Sequence, residues 1–365
     1  MSELKKSPLH ARHEAAGAKF AEFGGWSMPL QYAGIVAEHK AVRESVGIFD
    51  VSHLGKATVR GAGAVDFLNT VLTNDLGKIG DGQAQYTLLC NDSGGVVDDL
   101  IVYQFADDDL FLIPNASNNA TVVGILAENA PEGIEVANIH DDYAVLAVQG
   151  PKSDETLTAM GLPVGHDYMS FDVAELDGVR LTVCRTGYTG ERGYELVAPT
   201  ADAVKVWDAV MAAGAEFDIV PCGLGARDTL RTEMGYPLHG QDLSPEISPV
   251  KARTGWAVGW KKPEFLGHDA LRAEREAGPA RKLWGIKAKG RGIPRPHMVV
   301  LDADGNEIGE VTSGTFSPTL QAGIGLALVD AAFEPGVAVG VQVRNRVEEF
   351  DLVKPPFVTP GVREG

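Results

Sequence analysis

This sequence of 365 residues is poor in cysteine and has no long apolar run. Its three cysteines, Cys90, Cys184 and Cys222, form no C-x-x-C pair and have no histidines at zinc-ligand spacing, so neither a disulfide framework nor a structural zinc site is indicated. No segment approaches the roughly 18 apolar residues of a membrane-spanning helix. The first residues also lack the apolar core of a signal peptide. We therefore expect a cytoplasmic protein that has no membrane segment.

Basic charge is also scarce. The chain carries 32 lysines and arginines against 50 aspartates and glutamates, which gives a formal net charge of −18. A field of this sign disfavours nucleic acid and anionic membrane surfaces, so neither is expected as a partner. An anionic small molecule would have to be bound by a few placed cations, because the field as a whole would not attract it.

Glycine and proline are abundant, with 43 and 20 residues, and indicate many tight turns. Strand patterns at 143–150, 179–185 and 193–199 alternate with helix patterns that begin near Ser153 and Thr200, each expected to cap its helix. Because this order lacks the regular βαβ alternation of a parallel sheet, it favours an α+β fold over a doubly wound one. Only strand and turn patterns follow residue 280, as in a small barrel or sandwich.

Common cofactor motifs are missing. The glycines of GYTGERG are spaced G-x-x-G-x-x-G and precede a strand, whereas a dinucleotide site needs G-x-G-x-x-G before a helix. The acidic turn at 302–306 is followed by Glu307 where a calcium loop needs glycine, which favours a plain hairpin turn. No dinucleotide or calcium site is therefore expected.

Asp98 and Asp99 open an apolar strand after a Gly-Gly turn. Adjacent strand residues point to opposite faces, so one of the two is expected to point inward. A buried carboxylate without a partner costs several kcal/mol and marks a candidate site. The alternative is a turn with two solvated acids.

Glu195 lies on a second strand, where it shares a face with Val197 while Tyr194 and Leu196 share the other. A carboxylate in such a position can accept hydrogen bonds from two parallel N–H donors, in a guanidinium or at the edge of a pterin. The alternative is a solvated glutamate on an edge strand.

Arg227 and Arg231 follow a Gly-rich turn and lie one helical turn apart. Together their donors would suit a carboxylate or a ring oxygen. A surface helix with Asp228 and Glu233 as counter-charges explains the same residues.

Six segments together resemble the T-protein family of the glycine cleavage system. In order, they are PLHARHEAAGAKFAEFGGWSMPLQY, VGIFDVSHLG, GGVVDDLIVY, RTGYTGERGYEL, GLGARDTLRTEMGYPLHGQD and EVTSGTFSPTL, and the resemblance runs from Pro8 to Phe357. It implies an α+β fold of three domains in a cloverleaf-like arrangement around a central folate pocket. The implied ranges are 1–50 with 140–250 for the first domain, 51–139 for the second, 251–279 for a linker with a helix, 280–358 for a small antiparallel β-barrel and 359–365 for a flexible tail.

The resemblance also implies a reaction. An aminomethyl group on the lipoyl arm of H protein would give its carbon to tetrahydrofolate, forming 5,10-methylenetetrahydrofolate, ammonia and dihydrolipoyl H protein. Tetrahydrofolate would be a co-substrate, and no metal, pyridoxal phosphate or flavin is implied. The expected partners are lipoylated H protein and folate.

Residue by residue, the resemblance makes Asp99 the catalytic aspartate, which acts as a general base and as an electrostatic stabiliser. It leaves Asp98 facing outward. Glu195 matches a pterin-binding glutamate, and Arg227 matches a folate-contacting arginine in a locally basic pocket. The other expected lining residues are Tyr103, Asn115, Tyr188 and Tyr86.

The resemblance leaves some alternatives open. The tail VTPGVREG lacks the tyrosine of some family members, so no function is carried over to it. An iron–sulfur-repair relative of the same fold would carry K-G-C-Y-x-G-Q-E, where this chain has WKKPEFLGHDAL. A folate domain of dimethylglycine or sarcosine oxidases would be fused to a flavin domain. A non-catalytic folate-binding protein would keep Glu195 and Arg227 and could dispense with Asp99.

Overall fold

The computed structural model describes residues 4–362. Within them lie eight α-helices: α1 (His10–Ala15), α2 (Ile35–Glu44), α3 (Ala64–Val71), α4 (Asn119–Asn129), α5 (Ser153–Ala159), α6 (Ala203–Ala213), α7 (Leu224–Met234) and α8 (His268–Ala277). Short 3-10 turns lie at Leu76–Lys78, Thr200–Asp202, Gly214–Phe217 and Gly255–Ala257. None of these helices is long and apolar enough to cross a membrane.

The same residues form four sheets. Their strands are β1 (Lys5–Lys6), β2 (Lys19–Phe23), β3 (Trp26–Gln31), β4 (Gly47–Asp50), β5 (Ala57–Arg60), β6 (Gln83–Cys90), β7 (Val96–Ala106), β8 (Asp109–Ile113), β9 (Glu135–Asn138), β10 (Tyr143–Gln149), β11 (Phe171–Leu176), β12 (Val179–Cys184), β13 (Gly193–Pro199), β14 (Val220–Cys222), β15 (Arg281–Ala288), β16 (Val299–Leu301), β17 (Glu307–Ser317), β18 (Ala322–Asp330), β19 (Ala338–Val343) and β20 (Arg346–Val353). The predicted α+β class is confirmed.

The larger open sheet has the order β11-β12-β13-β10-β4-β14. Strands β12 and β13 are antiparallel neighbours, as the alternation of apolar residues predicts. Tyr194 and Leu196 pack on the helix-covered side of the sheet with Trp207 of α6, whereas Val197 faces a second core. The predicted two-sided character of β13 is therefore confirmed.

A five-stranded sheet of order β6-β7-β8-β5-β9 faces the larger one. One of its faces packs under α3 and α4, with Leu100 and Val102 in that core. On the opposite face, Tyr103 packs with Phe49 and Val145 of the larger sheet. Both faces of β7 are consequently covered, which decides the environment of its two aspartates.

Strands β15 to β20 close into a barrel of order β15-β18-β17-β16-β19-β20. The antiparallel pairing of β16 with β17 confirms the hairpin predicted around 302–306, and the closed barrel confirms the predicted C-terminal fold. A three-stranded sheet, β1-β3-β2, lies near the N-terminus. The strands of each main sheet fall inside one predicted domain range, and the division itself stays a prediction.

Two helix caps differ from expectation. Ser153 is the first residue of α5 instead of its N-cap, and its buried Oγ has no hydrogen-bond partner among the described residues. Thr200 begins a 3-10 turn, and Asp202 precedes α6. Local capping chemistry is overridden here because the preceding turns continue into the helices.

The expected flexible tail is described only to residue 362. The backbone N–H of Gly361 donates to the carbonyl of Gly190 at 2.7 Å, and Arg185 Nη2 donates to the carbonyl of Val362 at 2.6 Å. Residues 363–365 lie outside the described residues.

Candidate functional site

A cavity of about 480 Å³ lies between the two facing sheets and the N-terminal half of α7. Its size suits a ligand of a few hundred daltons. All seven residues predicted for the site line it: Tyr86, Asp99, Tyr103, Asn115, Tyr188, Glu195 and Arg227. A second cavity, of about 550 Å³, includes Arg60, Asp142 and Arg180 but none of the seven. Residues that are far apart in the sequence thus converge in one place.

Asp99 lies half-buried on the cavity-facing side of β7. Tyr86 Oη donates to its Oδ2 at 2.9 Å, and Asn115 Nδ2 donates to its Oδ1 at 2.8 Å. Burial raises the pKa of Asp99 above its ordinary value, against the opposing effect of the bond from Tyr86. Asp99 is therefore a stronger base than a solvated carboxylate and is held in one orientation.

Asp98 does not face outward, so that expectation is wrong. Its exposed fraction is 0%, and it points with Leu100 to the core side of the five-stranded sheet. The backbone N–H of Asn115 donates to Oδ2 at 3.0 Å, and Asn118 Nδ2 donates to Oδ1 at 2.7 Å. The alternation of faces predicted one inward acid, but because both faces of β7 are covered, neither acid is fully solvated.

Glu195 is 5% exposed and lies on a central strand, opposite Ala147 of β10 and Cys184 of β12. This position excludes the alternative of a solvated glutamate on an edge strand. Thr186 Oγ1 donates to Oε2 at 2.5 Å, and the Tyr103 hydroxyl lies 3.3 Å from the same Oγ1. The carboxylate is thus fixed from the protein side with its strand face toward the cavity.

Arg227 approaches the cavity from α7. Its Cζ lies 4.7 Å from the centroid of the Tyr188 ring, and its buried Nη1 has no hydrogen-bond partner among the described residues. Burial lowers the pKa of Arg227, while the charge of Glu195 opposes that shift. A buried guanidinium N–H without an acceptor is a ready donor to a ligand carboxylate or carbonyl.

Tyr188 lies under Arg227. Its hydroxyl donates to the carbonyl oxygen of Pro237, and its ring stacks on Tyr236 with centroids 5.7 Å apart. The lining of the cavity as a whole is mixed in charge, because it also includes three acids, Asp99, Glu195 and Asp228, and the locally basic pocket expected around Arg227 stays a prediction. The same lining includes two arginines, Arg227 and Arg231.

The lining residues that sequence reasoning missed include His53, His239 and Trp256. His53 is 2% exposed, and burial together with the charge of Arg227 lowers its pKa to about 3. Its Nδ1 has no partner among the described residues. Trp256 is 68% exposed and stacks on Tyr86 with ring centroids 5.2 Å apart. The FDVSH segment contains His53, but nothing in its spacing distinguishes that residue.

Taken together, the cavity suits a flat, partly anionic molecule. It offers a raised-pKa carboxylate, a carboxylate acceptor and a guanidinium with an open donor. Residues 4–362 contain no group of three or more His, Cys, Asp and Glu side chains arranged to hold a metal ion. This fold and site are typical of an enzyme that acts on a small molecule, with a buried carboxylate available for proton transfer.

Comparison with known proteins identifies the family. Residues 9–262 match the family model described as the GCVT N-terminal domain, and residues 281–359 match the glycine cleavage T-protein C-terminal barrel domain. The chain belongs to the glycine cleavage T-protein family.

Individual relatives agree with this assignment. An aminomethyltransferase of Parafrankia sp. is 61% identical over the full length of both chains, and one of Mycobacterium tuberculosis is 58% identical over 99% of each. The crystal structure of glycine cleavage system aminomethyltransferase T from Bartonella henselae has a TM-score of 0.93 at 34% identity, covering 98% of this chain and 99% of that one.

Proposed function

We propose that this protein is a tetrahydrofolate-dependent aminomethyltransferase of the glycine cleavage system. The observation that carries the proposal is the convergence of Asp99, Glu195 and Arg227 on one cavity, in a chain that shares whole-length similarity with aminomethyltransferases. In this reaction the N5 and N10 atoms of tetrahydrofolate each form a bond to the methylene carbon of the aminomethyl group and each lose a proton, and the two protons pass to the departing sulfur and nitrogen. The carbon–sulfur and carbon–nitrogen bonds of that group break, and the products are 5,10-methylenetetrahydrofolate, ammonia and the dihydrolipoyl thiol.

The cavity fits folate at three points. Glu195, held by Thr186, accepts from the two adjacent N–H groups at the amino-pyrimidinone edge of the pterin. Arg227 Nη1, which is buried without a partner, donates to an oxygen of the ligand. The aromatic rings of Tyr86, Tyr103 and Tyr188 supply apolar surface for flat rings.

Asp99 performs the proton transfer. Its carboxylate accepts from Tyr86 and Asn115, so its orientation is fixed before the substrate binds. The raised pKa brings its basicity closer to that of the folate nitrogen that loses a proton during attack. Its negative charge also stabilises the positive charge that develops on that nitrogen.

The aminomethyl group comes from a lipoylated H protein, which is the proposed protein partner. With a net charge of −18 on this chain, docking depends on a local complementary patch instead of the overall field. A cytoplasmic location remains the expectation for the complex.

The proposal is tested by mixing the purified protein with aminomethyl-loaded H protein and tetrahydrofolate and measuring ammonia release. Asp99→Asn should lower kcat by about 10²–10⁴-fold, because it removes the base without changing the side-chain shape. Tetrahydrofolate binding, measured by calorimetry, should persist. Asp92→Asn, in the exposed turn before β7, is the matched control and should keep wild-type turnover.

Two outcomes contradict the proposal in different ways. Full turnover by Asp99→Asn would remove the assigned base while leaving the activity in place. Folate binding by the wild type without any ammonia release would favour the non-catalytic folate-binding alternative.

A further inference from the structure

One buried carboxylate next to the cavity has no part in the mechanism above. Asp98 is 0% exposed and does not line the cavity, yet it is one residue away from Asp99. All its hydrogen-bond partners are N–H donors: the backbone N–H of Asn115 at 3.0 Å, Asn115 Nδ2 at 2.9 Å and Asn118 Nδ2 at 2.7 Å. An ionised carboxylate only accepts hydrogen bonds, whereas a protonated one also has an O–H to donate. Three N–H donors around Asp98 therefore fit its ionised form.

Asn115 connects the two acids directly. Its Nδ2 lies 2.9 Å from Asp98 Oδ1 and 2.8 Å from Asp99 Oδ1, and it also lies 2.9 Å from the backbone oxygen of Asp99. With its backbone N–H and its carboxamide both bound to Asp98, Asn115 has one orientation available. That orientation aims the amide at the oxygen of Asp99 opposite the one bound by Tyr86.

We propose that Asp98 is a positioning residue for this reaction, which fixes Asp99 through the Asn115 carboxamide and places a second buried carboxylate beside it. The inference rests on the proposed function, because it concerns the base of that same reaction. Asp98 touches neither the cavity nor the substrate and acts only through its neighbours.

The surroundings of the pair support this role. Asn118, which holds Asp98, also places its Nδ2 3.0 Å from Nδ1 of His239, and His239 Nε2 lies 3.1 Å from the carbonyl oxygen of Val96. The titratable groups around the pair are His239, Tyr86 and Tyr188, besides the two acids themselves. Burial and the charge of Asp99 raise the pKa of Asp98 to about 7, as expected for two acids that share one donor.

The test is a double-mutant cycle of Asp98→Asn and Asp99→Asn. Asp98→Asn introduces a carboxamide that faces two other amide donors, so Asn115 loses its fixed orientation. Its kcat should fall about tenfold while the dissociation constant of tetrahydrofolate changes less than about threefold, and the acid limb of the kcat profile should move to lower pH because the neighbouring charge is gone. In the Asp99→Asn background, Asp98→Asn should cause no further loss of kcat.

The cycle separates the possible failures. If wild-type protein releases no ammonia, the proposed function fails before Asp98 is tested. If the wild type is active and folded Asp98→Asn keeps its kcat and its pH profile, or if the two losses multiply, the positioning role is wrong.

A second variant covers a folding failure of Asp98→Asn. Asn118→Ala removes one donor to Asp98 without removing a contact of Asp99. It should lower kcat about threefold and move the acid limb to lower pH, because the charged form of Asp98 becomes less stable and places less negative charge beside Asp99. Wild-type kinetics in Asn118→Ala would then overturn the proposal.

Discussion

Two arginines on α7 lie one turn apart and have opposite surroundings. Arg231, 1% exposed, points to the junction with the barrel, where it bonds Asp242 at 2.9 Å, Asp228 at 2.9 Å and Ser313 at 3.0 Å. Arg227, toward the cavity, stacks on Tyr188 and forms no salt bridge with a described residue.

The difference in surroundings indicates a structural role for Arg231 and a ligand-binding role for Arg227. Burying a charge costs several kcal/mol unless partners replace the lost water. At Arg231 the chain itself supplies those partners, so the side chain joins α7 to the barrel. At Arg227 the chain supplies an aromatic ring and leaves Nη1 without an acceptor. Removing Arg231 should therefore cost stability, whereas removing Arg227 should cost ligand affinity.

The largest expected effect is that of Arg231→Met. This change leaves Asp242 buried without its guanidinium, and the free energy of unfolding should fall by about 3–5 kcal/mol in urea titrations. Arg272→Met, at an exposed position of α8, should stay within about 0.5 kcal/mol of the wild type. A loss below about 1 kcal/mol at Arg231 would mean that the junction is not held by this ion pair.

On the barrel side of α7, the contribution of Glu233 to the free energy of unfolding should depend on pH. Glu233 accepts from Ser317 at 2.5 Å and pairs with Arg43 at 2.8 Å. Against the opposing effect of burial, the bond from His39 and the charges of His39 and Arg43 lower the pKa of Glu233 to about 2.

Because the folded-state pKa is depressed, the stabilisation is present above the ordinary glutamate pKa and is lost as the pH falls toward 2. We expect a contribution on the order of 3 kcal/mol at neutral pH. Unfolding free energies of the wild type and Glu233→Gln should converge between about pH 5 and pH 2. Parallel curves across that range would contradict the assignment.

On the cavity side, Arg227→Met should lower tetrahydrofolate affinity by about 10–100-fold, because a charge-assisted hydrogen bond in a dry site is lost. The melting temperature should change little, since Arg227 has no salt bridge or hydrogen bond to a described residue that its removal would break. Calorimetry of binding and thermal unfolding of the same sample give both values. If Arg227→Met has a lowered melting temperature but normal tetrahydrofolate affinity, then Arg227 has a structural role like that of Arg231.

The same contrast explains which features could be predicted from the sequence. The two faces of β13 follow from the alternation of Tyr194 and Leu196 with Glu195 and Val197, which is a local property. The hydrogen-bond partners of Arg231 cannot be predicted from the neighbouring sequence, because Asp242 lies 11 residues away and Ser313 lies 82 residues away. Helical spacing alone gives Arg227 and Arg231 the same face.

The burial of Asp98 could likewise not be predicted from the local sequence. Its side chain points away from the cavity, as the alternation with Asp99 requires, but α4 and the loop before it cover that face. Whether the opposite face of a strand meets water or another layer depends on long-range packing. Local patterns single out Asp99, Glu195 and Arg227 as candidates, whereas the other four cavity residues follow only from the resemblance of whole motifs, which contains information that single-residue spacing lacks.

Tyr188→Phe gives the smallest effect and the finest test of the comparison. The phenylalanine ring keeps the surface under Arg227 and the stack on Tyr236, but it loses the hydrogen bond to the carbonyl of Pro237. The unfolding free energy should fall by about 1 kcal/mol, and tetrahydrofolate affinity should change less than about threefold. If affinity falls as far as in Arg227→Met while stability is kept, then the hydroxyl itself meets the ligand. In that case Tyr188 binds the ligand together with Arg227, and its hydroxyl exchanges the hydrogen bond to Pro237 for one to the ligand.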